Sequence, residues 1–167
     1  QQRRAVGVGL GEAAKLVARQ RSGGRQHADA TRGAEGHGLL HAWFDAHERQ
    51  EIQRWTAQLL PPELVGSHIG AERAHTTGRV LALDVRAVTA LFGPLGIEWD
   101  LAAASPAERE ELRGWVALYK RLRPLIHTGR VVRRDVAGGD LVLTGAVAPD
   151  RTHAVYGLVQ QRRQRLH

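Results

Sequence analysis

The chain is 167 residues long, 43% hydrophobic and 25% charged, with a formal net charge of +7 and a sequence pI near 11.1. That length suffices for one domain with its own core, and no apolar run approaches the ~20 residues that a bilayer-spanning helix needs. No secretory h-region opens the sequence, and zero cysteines exclude disulfides, thiolate catalysis and cysteine metal sites while fitting a reducing cytoplasm. Zero methionines leave it without an initiator, which implies processing or a piece of something longer. The positive charge permits nucleic-acid binding, but the basic residues, mostly arginine, collect in tails and at helix ends.

Residues 1–40 alternate Gly and Arg with Ala and His and hold few large apolar side chains. Such a stretch cannot offset its own ordering entropy, so residues 1–42 are expected to be poorly ordered. Leu10, Ala13, Ala14, Leu16 and Val17 give only a short helical stripe. From Asp45 the character changes. Asp45 with Glu48 has capping-box spacing, Ile52, Trp55 and Leu59 follow at helical intervals, and Pro61-Pro62 stops the helix. The apolar run Leu64 to Ile69, broken by Gly66 and ending at Gly70, reads as a buried strand. Its polar continuation to Arg79 reads as a loop that builds a site at a strand end.

Leu81, Val85, Val88 and Phe92 then predict a helix that ends at Gly93-Pro94. Ile97, Trp99 and Leu101, alternating with Glu98 and Asp100, predict a short strand. Ser105-Pro106 with Glu108 supplies N-cap, N1 proline and N3 glutamate for a helix whose face is Leu112, Trp115, Tyr119 and Leu122, and which Pro124 ends. After Gly129 the pattern turns to strands: Val131-Val132, Leu141 to Val147 and Ala154 to Val159, with turns at Gly138-Gly139 and Pro149-Asp150. The expected fold class is therefore α/β, parallel units followed by an antiparallel meander in a different layer or domain, with a basic tail.

Several segments carry a family resemblance. Glu48-Arg49-Gln50, Ile52-Gln53-Arg54, Gly66-Ser-His-Ile-Gly70, His75-Thr-Thr-Gly-Arg79, Gly96-Ile-Glu-Trp-Asp-Leu101, Tyr119-Lys-Arg-Leu-Arg123 and Leu125-Ile-His-Thr-Gly129 fall in the order and spacing of one family. Over about residues 44–161 the chain resembles the C-terminal part of bacterial α-galactosidases (melibiases) of glycoside hydrolase family 36. The resemblance implies that residues 43–127 are the terminal units of a (β/α)8 barrel. Residues 128–167 would then start a C-terminal antiparallel β-domain. It also implies retaining hydrolysis of terminal α-galactosides of the melibiose or raffinose type, by two aspartates placed across the sugar. The family's nucleophile lies on an earlier strand. Its acid/base belongs to a Ser-Asp-x-x-Asp motif, of which Asp45 matches the second aspartate. Ala42 stands where the catalytic one should be, and His41 where the serine should be. The likeness ends upstream of residue 43, and residues 1 to about 42 are expected to be scrambled or read from a shifted frame.

The single residues admit rival readings. Asp45 is a sugar-site carboxylate or simply a helix N-cap. His37, His41 and His47 with Asp45 sketch a metal site, although the flanking glycines argue against it, and neither a metal nor a cofactor is expected. His68, His75 and Arg79 are candidate substrate-binding residues; the histidines otherwise buttress the loop, and Arg79 otherwise pairs with Glu98 or Asp100. Trp99 and Trp115 read as core. The expected function is that of an α-galactosidase-like glycoside hydrolase fragment, inactive alone, cytoplasmic and without a membrane partner. The alternatives are a non-functional remnant that self-associates through exposed edges, and a basic nucleic-acid-binding module.

Overall fold

The computed structural model describes residues 14–18, 45–61, 64–75, 77–136, 138 and 141–160. Its elements are β1 (Ala14–Ala18), α1 (Ala46–Thr56), β2 (Ser67–Gly70), α2 (Leu83–Ala90), β3 (Leu95–Glu98), α3 (Pro106–Thr128), β4 (Arg130–Val136), β5 (Leu141–Val147) and β6 (Ala154–Gln160). β2 and β3 pair in parallel, with Ser67 opposite Leu95 and Gly70 opposite Glu98. β4, β5 and β6 form an antiparallel meander, and β1 adds parallel to β6 to give the order β1-β6-β5-β4. The architecture is thus mixed α/β with an antiparallel sheet, as the hydrophobic periods require.

Several local expectations are corrected. The stripe around Leu16 lies in a strand and not in a helix. Five residues cannot sustain an isolated helix, whereas the edge of β6 offers a full row of backbone partners. The other expectations for residues 1–42 fall outside the described residues. β2 begins at Ser67, later than the apolar run at Leu64 suggests, and Leu64 itself is exposed. α1 ends at Thr56, well short of Pro61. Helix α3 runs through Pro124 to Thr128. Proline there removes one i→i−4 bond, but Pro124 and Lys120 lie on the exposed side, where water can donate to the freed carbonyl. The capping box that starts α3 forms fully: Glu108 N–H donates to Ser105 Oγ at 3.2 Å, and Ser105 N–H donates to Glu108 Oε2 at 2.8 Å.

Two apolar clusters meet at α2. One joins Leu81, Val85, Val88 and Leu91 to Leu118, Tyr119, Leu125 and Ile126 of α3 and to Ala146, Val155 and Val159 of the meander. The other joins Leu83, Ala87 and Ala90 to Ile69 of β2 and Leu112 of α3. Where α2 crosses β6 the approach is close enough to require glycine. A Cβ on Gly157 would lie 2.7 Å from Val88 Cγ1 and 2.8 Å from Phe92 Cε2.

Gly157→Ala is therefore expected to destabilise the chain by about 1–3 kcal/mol through overpacking. Trimming the opposing side chain in the double variant with Val88→Ala should recover part of the strain. Urea unfolding of the two variants and the parent checks this, and an unchanged midpoint for Gly157→Ala would refute the close contact.

Candidate functional site

The site assembles where the N-terminus of α1 meets the loop that leaves β2. Asp45 is the N-cap of α1 in extended backbone conformation, and its side chain is wholly buried. Its Oδ1 accepts from His47 N–H at 2.8 Å. Its Oδ2 accepts from Thr77 Oγ1 at 2.6 Å and from Arg79 Nη1 at 2.5 Å. Thr77 Oγ1 in turn accepts from Arg79 N–H at 3.2 Å. A buried carboxylate must be paired and hydrogen-bonded to persist, and the helix N-terminus adds favourable dipole. Among the described residues Asp45 is the only buried carboxylate. Donors hold both of its oxygens and tie the start of α1 to the loop.

The loop is itself a closed unit. Arg73 and Val80 bridge, Gly78 N–H donates to Ala74 O at 2.8 Å, and Leu81 N–H donates to Glu72 O at 3.0 Å. Gly78 sits at φ +67°, the left-handed region that glycine enters without steric penalty. His75 lies exposed on this loop. His68 projects from β2 with its ring stacked where a Cβ of Gly96 on β3 would stand. The structure therefore joins Asp45 to Arg79, which corrects the pairing of Arg79 with Glu98 or Asp100, and adds Thr77, which the spacing did not single out. His37 and His41 fall outside the described residues, and among the described ones no cluster of three or more metal-ligating side chains occurs. The capping box expected of Glu48 does not form in both directions: the Asp45 side chain caps His47 N–H. Trp99 and Trp115 pack against the second apolar cluster, as expected.

Behind Asp45, helix α1 turns a polar face inward. Its buried residues are Ala46, Arg49 and Gln50, while Trp55 is 59% and Leu59 85% exposed. This reverses the face expected from Ile52, Trp55 and Leu59. Arg49 Nη1 donates to His68 O at 2.8 Å, Gln50 Nε2 to Thr89 Oγ1 at 2.8 Å and Gln53 Nε2 to Ser67 Oγ at 2.7 Å. From α2, Arg86 donates to Leu81 O at 3.0 Å and to Gly70 O at 2.5 Å, with its guanidinium 5.0 Å from the Trp99 ring centroid. Burial pulls the Arg49 guanidinium down to about 10, against the opposing pull of Glu98. Burial also lowers Arg86, opposed by Glu72 and three further carboxylates. The Glu48 carboxyl is raised, first by burial and then by Asp45, with Arg79 opposing. The sequence signal for this face was available: Arg49, Gln50 and Gln53 share one side of the helix, but as polar residues they were not counted toward a core.

A parallel strand, a polar loop closed on the next helix, and a second strand–helix unit define a segment of a mixed α/β fold. A family model for Melibiase matches residues 39–129, and the chain belongs to that family. It is 41% identical over 116 residues to an α-galactosidase of Escherichia coli, a match that covers 70% of this chain and 16% of the relative. The structure superposes on the glycoside hydrolase family 36 α-galactosidase AgaA of Geobacillus stearothermophilus with TM-score 0.70 and 28% identity, covering 74% of this chain and 17% of that one. A structure of an AgaA variant in complex with raffinose matches with TM-score 0.62 and 31% identity, covering 65% and 15%. The chain thus spans about a sixth of the length of these relatives.

Two substitutions test the site's electrostatics. Asp45→Ala leaves Arg79, Thr77 and the start of α1 without their acceptor and is expected to cost about 2 kcal/mol, partial exposure of Arg79 limiting the loss. Chemical denaturation measures it. Because folding raises the Glu48 pKa, its contribution to stability is full below the unfolded value of 4.5 and is lost as pH rises through the folded one. Glu48→Gln should therefore raise the melting temperature at pH 7, and that advantage should fade on acidification below 4.5. A gain that grows in acid would reverse the assignment.

Proposed function

We propose that residues 43–127 are the closing units of the catalytic barrel of an α-galactosidase-like glycoside hydrolase, and that residues 128–167 open its C-terminal β-domain. The observation that carries this reading is the repeat itself. Two parallel strands, each followed by a helix, hold a polar loop at their C-terminal ends, inside the segment that the Melibiase family matches. In a barrel of this kind the strand-end loops line the sugar site. His68, His75 and Arg79 are then the residues of this chain nearest to substrate. The substrates are terminal α-galactosides, supported by the relatives solved with raffinose and with stachyose. The chemistry is retaining hydrolysis by two carboxylates about 5–5.5 Å apart.

This chain supplies walls to that site and not its acids. Ala42 replaces the aspartate that would protonate the leaving oxygen, and Asp45 is held by Thr77 and Arg79. The chain alone is therefore inactive. The absence of cysteine supports a cytoplasmic setting, and among the described residues no helix is long and apolar enough to cross a membrane.

Two assays test the proposal. The purified chain should not turn over a chromogenic α-galactoside, and turnover that Asp45→Ala abolishes would overturn the assignment of Asp45 as an anchor. A chimera of the E. coli relative that carries residues 45–160 of this chain in place of its own matching segment should hydrolyse the same substrate, within roughly tenfold of the parent (~1.4 kcal/mol of barrier). A folded but inactive chimera would refute the reading.

A further inference from the structure

We infer that the cleft between the C-terminal end of α1 and strand β4 binds a small organic carboxylate with an apolar body. Arg133 holds the charge, and Leu59, Leu60 and Val131 cover the body. The cleft lies at the far end of α1 from Asp45, so it stands or falls independently of the sugar site proposed above.

Val131, Arg133 and Asp135 alternate along β4 and so share one face of the sheet. Arg54 and the turn that follows α1 form the opposite wall, and the space between is about 580 Å³. That lies within the roughly 300–1,000 Å³ of ordinary ligand sites. The walls divide by chemistry. Leu59, Leu60 and Val131 line the cleft and are 85%, 45% and 36% exposed. The charged wall holds two guanidiniums, Arg54 and Arg133, against the carboxylate of Asp135. Asp135 Oδ2 accepts from Arg54 Nη2, and Glu51 adds a looser contact to Arg54 at 3.8 Å. Arg133 is served less well. Its Nε donates to Thr144 Oγ1 at 3.4 Å, a long bond, and among the described residues its buried Nη1 has no acceptor. Burial lowers the pKa of this guanidinium and the Arg54 charge lowers it further, with Asp135 and Glu51 opposing. Positive charge is therefore in excess on this wall.

A buried donor without an acceptor is costly, and a guanidinium takes a carboxylate in a two-pronged fork. A carboxylate entering the cleft supplies that acceptor. The turn of the Arg133 side chain that brings Nη1 into the cleft gives up only the long bond to Thr144. An inorganic anion would meet the charge and leave the leucines in water. An uncharged apolar molecule would cover the leucines and leave Nη1 without a partner. A carboxylate on a short hydrocarbon body does both.

The test is titration of the full chain with hexanoate, followed by heteronuclear NMR of the backbone amides and of the arginine Nε–H groups. Saturable shifts with a millimolar midpoint are expected at residues 54–61 and 131–135 and at Arg133 Nε. Hexanol carries the body without the charge, and sulfate the charge without the body. Each should bind about tenfold more weakly or worse, and so should hexanoate to Arg133→Gln, the factor that one lost charged hydrogen bond sets. Leu60→Glu places a competing carboxylate on an exposed wall outside both apolar clusters. It should keep the fold and abolish hexanoate binding, and it decides the matter if Arg133→Gln fails to fold. Four results overturn the inference: no saturable shift with hexanoate; shifts that lie away from the cleft; equal affinity for hexanol or sulfate; or undiminished affinity in either folded variant.

Discussion

One buried negative charge organises the described part of this chain. Asp45 has no access to water, and an isolated carboxylate in that position would cost several kcal/mol. Its survival depends on three donors arriving together: the first turn of α1, the Thr77 hydroxyl and the Arg79 guanidinium. Meeting that demand locks the start of a helix to a loop that lies 32 residues later. The turn at Gly78 and the bridge between Arg73 and Val80 then have a purpose, because they present Thr77 and Arg79 at the right height.

The same logic explains why α1 is inverted relative to its apolar pattern. Once Asp45 fixes the phase of the helix, the side facing β2 and α2 carries Arg49, Gln50 and Gln53, and Trp55 and Leu59 point outward. The inward polar groups do not fill space as a core does; they reach backbone and hydroxyl acceptors on β2 and α2. Arginine suits this work because its planar guanidinium is weakly hydrated and presents several donors in fixed directions. The depression of Arg49 and Arg86 records what burial costs, and the carbonyls of His68 and Gly70 are what it secures. Precise backbone placement at a strand end outweighs apolar packing on this helix.

How much of this was legible in the sequence follows from which forces leave a periodic trace. Two strands of the meander were readable to within a residue, since Leu141 to Val147 and Ala154 to Val159 are apolar runs set off by turn residues. β4 runs Arg130–Val136 and was expected only at Val131-Val132, because most of its remaining residues are polar. The start of α3 was equally plain, because a capping box is a local device. Its end was not: Pro124 signals a stop only where the lost hydrogen bond is buried, and here it is exposed. β1 escaped because its partner lies on β6, far along the chain, and strand pairing at that distance leaves no mark in five residues. In the site, Asp45 was visible as a cap and Arg79 as a charge seeking a partner. That the two belong to each other was invisible, since nothing in the sequence measures the distance from a helix start to a loop in the next unit. The polar face of α1 was missed for a related reason. Apolar periodicity finds helices that bury oil, and this one buries donors.

The helix that unites these parts is α2. Seven of its eight residues are buried, the signature of a helix enclosed on all sides. Val85 and Val88 face the meander, Leu83, Ala87 and Ala90 face β2 and α3, Thr89 takes the amide of Gln50, and Arg86 holds the C-terminal end of β2. The parallel pair and the antiparallel sheet are therefore not two independent bodies that happen to touch. They share α2 as a common wall, and Gly157 lets β6 come close enough to use it. A strand-end loop attached to a two-stranded sheet would have little to hold it in place. Attached through α2 to a four-stranded sheet, it inherits the rigidity of the larger core, and a side chain placed by a rigid scaffold keeps its geometry.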